Sequence, residues 1–431
     1  MSTSEDVLAA AHELFELDEE RVRCPYPVFS GLHAQSPVIW FDEIESFVVT
    51  DYDIIVDVLK QPDRFSSRFA TGRATEVKMM GALMELAMED PEVLAMAQER
   101  MQEGLSPVLL SADPPAHPRQ RALVNRAFTP GVIRTMEPEI ERLCDQLLQG
   151  FQARGSVELV KEYAGPLPMI VIANAMGVPL EDLDEFSAWS NTVVSAIGNS
   201  TITKEELGEI FRARNLMSDY LLSIVKARIA EPRDDLISKI TEAEIDGQRL
   251  TPAEVSDMAI QFMLAGNETT AKLIAAATLH LAQDPDLADR LRKDPDAIVP
   301  FVEEQLRFEP PINGTYRIAD VECELGGVHI PADSSLWLVY AAGNRSEKHF
   351  EEPDECQWAR EQKSQHLAFG LGPHYCLGAT LARAEARIAI RMLLERCGDI
   401  ALDIPVDQVP YDTSFMLHGL KQLPLTFTPT S

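Results

Sequence analysis

The sequence predicts a mainly helical α+β fold, a large helical body carrying a smaller β-rich region. Three observations lead there. Apolar residues recur at helical spacing from about 131 to 290, as in Val132, Met136, Ile140, Leu143, Leu147 and Phe151. Thr251-Pro252-Ala253-Glu254 joins an N-cap hydroxyl, a proline at the first helical position and an acid at the third, so a long helix should open there and run past Leu279. Strand-like runs, by contrast, gather toward the two ends, within 22–67, within 311–345 and in the C-terminal tail.

In chain order, SPVIW and SFVVT read as strands and YDIIVDVLKQP as a helix, which suggests a small sheet near the N-terminus. Residues 69–110 hold methionines 79, 80, 84, 88, 96 and 101. Methionine is flexible and polarizable, so this stretch reads either as a mobile cover over an apolar site or as a surface-packed helical insertion. The helix begun at Thr251 is apolar on every side, the mark of a helix buried through the centre of a molecule. After 311 come strands and turns (VECELGGVHIPADSSLWLVY), then an irregular stretch over 343–368, a glycine-punctuated loop, and the apolar-periodic run LGATLARAEARIAIRMLLE, which should end near Cys397-Gly398.

The 431 residues carry 69 acidic against 38 basic side chains, a net charge of −31, which argues against a general nucleic-acid or anionic-membrane partner. MSTSEDVLAAAHELFELDEE is acidic and lacks the basic-then-apolar order of a signal peptide or membrane anchor, so a cytoplasmic protein is expected. No Gly/Ser-rich or Pro-rich linker and no internal repeat divides the chain. The six cysteines form no CxxC pair and read as isolated thiols, apart from Cys376.

Cys376 closes FGLGPHYCLG (369–378), at the mouth of the following helix. A helix N-terminus carries partial positive charge and unpaired N–H groups that favour a thiolate. His349, Cys356, His366 and His374 crowd the same region, but their spacing is wrong for paired zinc ligands. In LAGNETT (264–270), Ala265, Gly266 and Thr269 share one helical face with Glu268 beside it. The bland reading is a buried helix whose polar pair bonds back to its own turn, yet an unpaired acid in so apolar a run would be costly. His117 and Arg121 are four apart in DPPAHPRQR and could offer two donors to carboxylates; Glu304 and Arg307, three apart, can pair.

FGxGxHxCxG would arise by chance on the order of once in a million chains of this length. It resembles the cysteine-ligand loop of the cytochrome P-450 family of haem-thiolate monooxygenases, and the resemblance extends from CPYPVF to HGLKQLPLTF, thinly over 70–110 and 180–230. It implies one domain over 1–431 and haem b (iron protoporphyrin IX) as cofactor, with Cys376 as axial thiolate pushing electron density to the iron. Phe369 would pack near the sulfur, Gly370 and Gly378 would let the loop lie on the porphyrin, and His117, Arg121, Arg317 and His374 would meet the propionates. LAGNETT matches A-G-x-E-T, which gives Glu268 a proton-relay role and has Thr269 position the water or oxygen that receives the protons. Glu304, Arg307 and Arg360 would serve the fold.

The implied reaction inserts one atom of O2 into a hydrophobic substrate of terpenoid, steroid or fatty acyl class, hydroxylation foremost. Met263, Leu264, Ala265, Ile312, Asn313, Thr315, Phe415, Met416 and Leu417 would line its cavity. Electrons would come from a ferredoxin-type donor with its reductase, because the chain has no G-x-G-x-x-G nucleotide fingerprint of its own. Some of Arg119, Arg126, Arg383, Arg387 and Arg391 would form a docking patch for the donor, or else serve as solvated or ion-paired structural groups. Two alternatives are a haem-thiolate ligand sensor without turnover, and a peroxide-driven enzyme, which would need no acid–threonine pair.

Overall fold

The computed structural model describes all residues except 1–3, 92, 97, 99–106, 200, 246, 361–364 and 431. Its centre is the helix Pro252–Gln283. The Thr251 hydroxyl accepts from the Glu254 amide at 3.2 Å while the Glu254 carboxylate accepts from the Thr251 amide at 2.8 Å, the reciprocal cap the sequence foretells. Helices Pro166–Met176, Lys204–Ala230 and Ala379–Arg396 pack around it. Two large apolar clusters fill the contacts, one centred on Leu273, Ile274, Ile388 and Phe301, the other on Met258, Met263, Met169 and Leu221.

The β-rich region is a mixed five-stranded sheet in the order β1 (Val38–Phe41), β2 (Ser46–Val49), β8 (Ser334–Val339), β5 (Gly314–Ala319), β3 (Phe65–Ser66). β2 and β8 run parallel, and the other neighbours are antiparallel, with Arg317 opposite Leu336. β6 (Cys323–Leu325) and β7 (Val328–Ile330) form a separate hairpin, while β4 (Ser156–Glu158), β10 (Pro424–Pro429) and β9 (Cys397–Leu402) make a third small sheet. Strands distant in sequence therefore share one sheet, and that sheet delivers Arg317 to the site.

The first part of the methionine-rich stretch, with Met79, Met80, Met84 and Met88, forms the helix Arg73–Glu89, which buries none of its residues. Lys204 pairs with Glu89 at 3.0 Å and Arg212 with Asp90 at 3.0 Å, tying its C-terminal end to Lys204–Ala230, while Met80, Met84 and Met88 face outward. Met101 lies outside the described residues. Among the described residues no helix is long and apolar enough to cross a membrane.

Candidate active site

The loop before Ala379–Arg396 is held from both sides. The Cys376 amide donates to the Phe369 carbonyl at 2.9 Å, and the Gly378 and Ala379 amides point at the sulfur. Solvent reaches Cys376, yet protein crowds it so closely that desolvation raises its thiol above the ordinary value, against the pull of those amides, Arg121 and Arg383. The helix terminus does pull toward the thiolate, as expected, but burial outweighs it. A metal cation at the sulfur would ionise it outright, so the site suits a ligand better than a free nucleophile.

Two glycines of the loop lie against protein neighbours. Gly372, at φ +71°, lies so near Leu59 that a Cβ would sit 2.4 Å from its carbonyl oxygen, and Gly370 stands at φ +65° beside the Tyr340 hydroxyl. Both serve the loop's own turn against its neighbours. A Cβ on Gly378, with φ −81°, would meet only Cys376 Sγ at 3.9 Å.

Phe369 is flanked by a network that sequence reading missed. The Arg383 guanidinium stacks 4.4 Å from the Phe369 ring centre and bonds Glu303 at 2.5 and 2.9 Å, while His366 bonds the same carboxylate at 3.1 Å. Burial pushes the Glu303 carboxyl up, but the His366 and Arg383 bonds and charges pull it down to about 2. One signal was available: the EE pair at 303–304 offers a second acid to a second arginine.

Four nitrogen-bearing side chains converge beside the loop. His117 and His374 stack with ring centres 3.9 Å apart. Arg121 donates to the Tyr375 carbonyl at 2.6 Å and to Asn125 at 2.9 Å, and buried Arg317 donates, among the described residues, to the Thr315 hydroxyl and the Tyr316 carbonyl. Burial and then Arg317, His117 and Arg121 push His374 down to about 3; burial and then Arg121 also lower His117. The nearby carboxylate of Asp113 is spent on Ser66 and Ser67. A half-buried cluster of cations and donors, whose nearby carboxylate Asp113 is held by Ser66 and Ser67, fits a ligand that brings carboxylates of its own, and Cys376 offers a sulfur ligand for iron. The residues present thus fit a haem with two propionates.

On the central helix, the Thr269 hydroxyl donates to the Ala265 carbonyl at 2.7 Å, the self-satisfied arrangement of a packing threonine. Glu268 is not an unpaired acid. Lys272 Nζ lies 2.7 Å from its Oε1 and bonds Asp412 as well. The sequence held half of this signal, a lysine four residues after the acid.

Glu304, Arg307 and Arg360 meet in a buried knot. Arg307 donates to Glu304 at 2.9 and 2.7 Å and to the carbonyls of Asn344, Pro353 and Glu355, while Arg360 Nε reaches Glu304 at 3.1 Å. The zinc alternative disperses: His349 pairs with Asp53 at 3.0 Å and His366 with Glu303. Among the described residues no three metal-ligating side chains converge.

The expected substrate wall is brought together only in part. Leu264, Ala265, Ile312 and Thr315 present surface. Met263 is fully enclosed among core methionines and leucines, and Asn313 is buried with its amide nitrogen on the Phe415 carbonyl at 3.0 Å. Phe415 packs edge-on against Phe15 and Trp337, and Met416 joins the same cluster, because the loop carrying them is drawn onto the N-terminal core. Leu417 bridges to Ile312. Of the arginines read as a docking patch, Arg119 pairs with Glu254, Arg387 with Glu137, Arg391 with Glu141 and Arg383 with Glu303. Arg126 is exposed with no ion pair among the described residues. Structural pairing thus accounts for four of the five.

Residues 89–398 match the profile of the family described as Cytochrome P450. The chain is similar to Cytochrome P450 109 of Bacillus spizizenii, 34% identical over 420 residues that cover 96% of this chain and 94% of the relative. Among solved structures it resembles CYP109E1 from Bacillus megaterium in complex with corticosterone, with a TM-score of 0.80 and 30% identity over 95% of this chain and 100% of the other. It also resembles P450BioI in complex with a hexadec-9Z-enoic acid ligated acyl carrier protein, with a TM-score of 0.83 and 30% identity over 95% and 99%.

Proposed function

Because this chain belongs to the cytochrome P450 family of monooxygenases, we propose that it hydroxylates a hydrophobic steroid, terpenoid or fatty acyl compound, with electrons from a separate ferredoxin and its reductase. The observation that carries the reading is the cluster of His117, Arg121, Arg317 and His374 beside Cys376, none of them in an ion pair among the described residues. Bound there, haem b supplies the redox chemistry that activates O2. The remaining work belongs to the chain. Cys376 would hold the iron through its thiolate, while Arg121 and Arg317 would offset the propionate charges and His117 and His374 would offer them neutral donors. Arg383, fixed by Glu303, keeps the Phe369 ring beside the sulfur. Glu268 delivers protons to the oxygen side and Thr269 positions the acceptor, which requires its hydroxyl to leave the Ala265 carbonyl.

The steroid and fatty acyl alternatives are favoured by the two neighbours solved with corticosterone and with an acylated carrier protein. The test is the absorption spectrum of the reduced protein under carbon monoxide. The thiolate-ligated band should appear in the natural protein and vanish in Cys376→Ser. A spectrum unchanged by that substitution would overturn the ligand assignment. Titration with corticosterone and with palmitic acid then reads substrate class, and no spectral response to either would count against both.

A further inference from the structure

Lys272 is a cation that reading for a haem pocket passes over. Its side chain is 4% exposed, and its ammonium bridges Glu268 and Asp412, which are 25% and 28% exposed. Burial lowers its hold on a proton, but the two carboxylates outweigh that and keep it charged. Its stem lies directly on the backbone of Gly419, where a Cβ would come within 2.3 Å of Lys272 Cγ and 2.6 Å of Cδ. Any larger residue at 419 would displace the lysine.

Asp412 and Gly419 face each other across the base of a hairpin, the Asp412 amide donating to the Gly419 carbonyl at 2.9 Å and Tyr411 bridging to Leu420. The tip of that hairpin carries Phe415, Met416 and Leu417. It is tied to the entry of β5, where the Asn313 amide donates to the Met416 carbonyl at 2.7 Å. His418 also faces Lys272, and burial, then Lys272 and Arg345, push it down to about 3, so it adds no charge. One ammonium therefore joins the acid of the central helix to the loop that reaches the expected substrate wall. Without it, Glu268 and Asp412 would face each other with no shared counter-charge, and the Glu268 side chain would turn away.

We propose that Lys272 is a positioning residue for proton delivery, fixing the Glu268 carboxylate and, through Asp412, making its placement depend on the 411–420 hairpin. The proposal rests on the reading of Glu268 as the relay acid. Its test uses the haem-loaded protein without substrate, chemically reduced and mixed with aerated buffer, and follows return of the oxidised spectrum in H2O and D2O. Lys272→Met keeps the stem and removes the charge. It should change the rate by roughly threefold or more and shift the solvent isotope effect, whereas in a Glu268→Gln background it should change little further. Lys272→Arg should restore most of the rate, and Asp412→Asn should give a smaller change in the same direction. The same cycle read by urea denaturation should show coupling between positions 268 and 272.

Equal effects of Lys272→Met in both backgrounds, or none in the natural background while Glu268→Gln alters the rate, would overturn the role of Lys272 alone. No effect of Glu268→Gln would overturn the relay reading and this proposal with it. Should Lys272→Met fail to fold, Asp412→Asn decides: an unchanged rate overturns the link to the hairpin.

Discussion

Glu385 lies on the helix Ala379–Arg396, nine residues beyond Cys376, and is buried with its Oε2 lacking a hydrogen-bond partner among the described residues. Burial raises its carboxyl from an ordinary 4.5 to about 8, so the folded protein keeps a proton there that the unfolded chain loses. A raised value in the folded state costs nothing below the ordinary value. The cost then grows with pH and levels off above about 8. With one pKa unit equal to about 1.4 kcal/mol, the penalty should increase by roughly 2.5 kcal/mol between about pH 5.5 and 7.5. Glu385→Gln keeps the shape and removes the titration. Urea denaturation of both haem-loaded proteins, followed by far-ultraviolet circular dichroism across that range, should show the variant gaining on the natural protein by about that amount. A stability difference that stays flat with pH would refute the reasoning and imply that the carboxylate is ionised and paired in the fold.

Two further outcomes follow from the packing. Arg307→Met removes five bonds from a wholly buried guanidinium and leaves Glu304 with Arg360 as its only charged partner, so about 3–5 kcal/mol of stability should disappear, read as a lower melting temperature and poor haem retention. Gly372→Ala should cost more than about 2 kcal/mol, because its φ is +71° and the new Cβ would strike the Leu59 carbonyl, while Gly378→Ala should stay within about 0.5 kcal/mol by the same thermal melt. Equal effects would mean that the loop's tolerance is set by something other than this backbone geometry.

The parts of the fold that sequence made legible are those whose physics is local. A capping box occupies four consecutive residues, and the Thr251 cap forms as its hydroxyl and acid demand. The cysteine loop is likewise contiguous, and composition and order alone set it apart. Side-chain partners chosen across long stretches of chain were illegible. Lys272 finds Asp412 across 140 positions, and Arg383 finds Glu303 across 80. Nothing in a local pattern tells an arginine whether it will face a partner protein or a neighbouring helix, which is why four of the five candidate docking arginines turned out to be ion-paired. The wall of the pocket was hardest to read, since whether Phe415 faces a cavity or packs against Trp337 depends on how a terminal loop settles on a distant core.

The mixed sheet has a consequence for how the donor cluster is assembled. β2, from the first fifty residues, lies parallel to β8, which pairs with the strand that carries Arg317. The other donors come from positions 117, 121 and 374. No contiguous fragment short of positions 117 to 374 holds the whole donor set, and its sheet register depends on a strand far outside that span. Such contacts are the slowest for a chain to close. The donor cluster therefore exists only where segments from distant parts of the chain have met, and no short piece of the protein carries it.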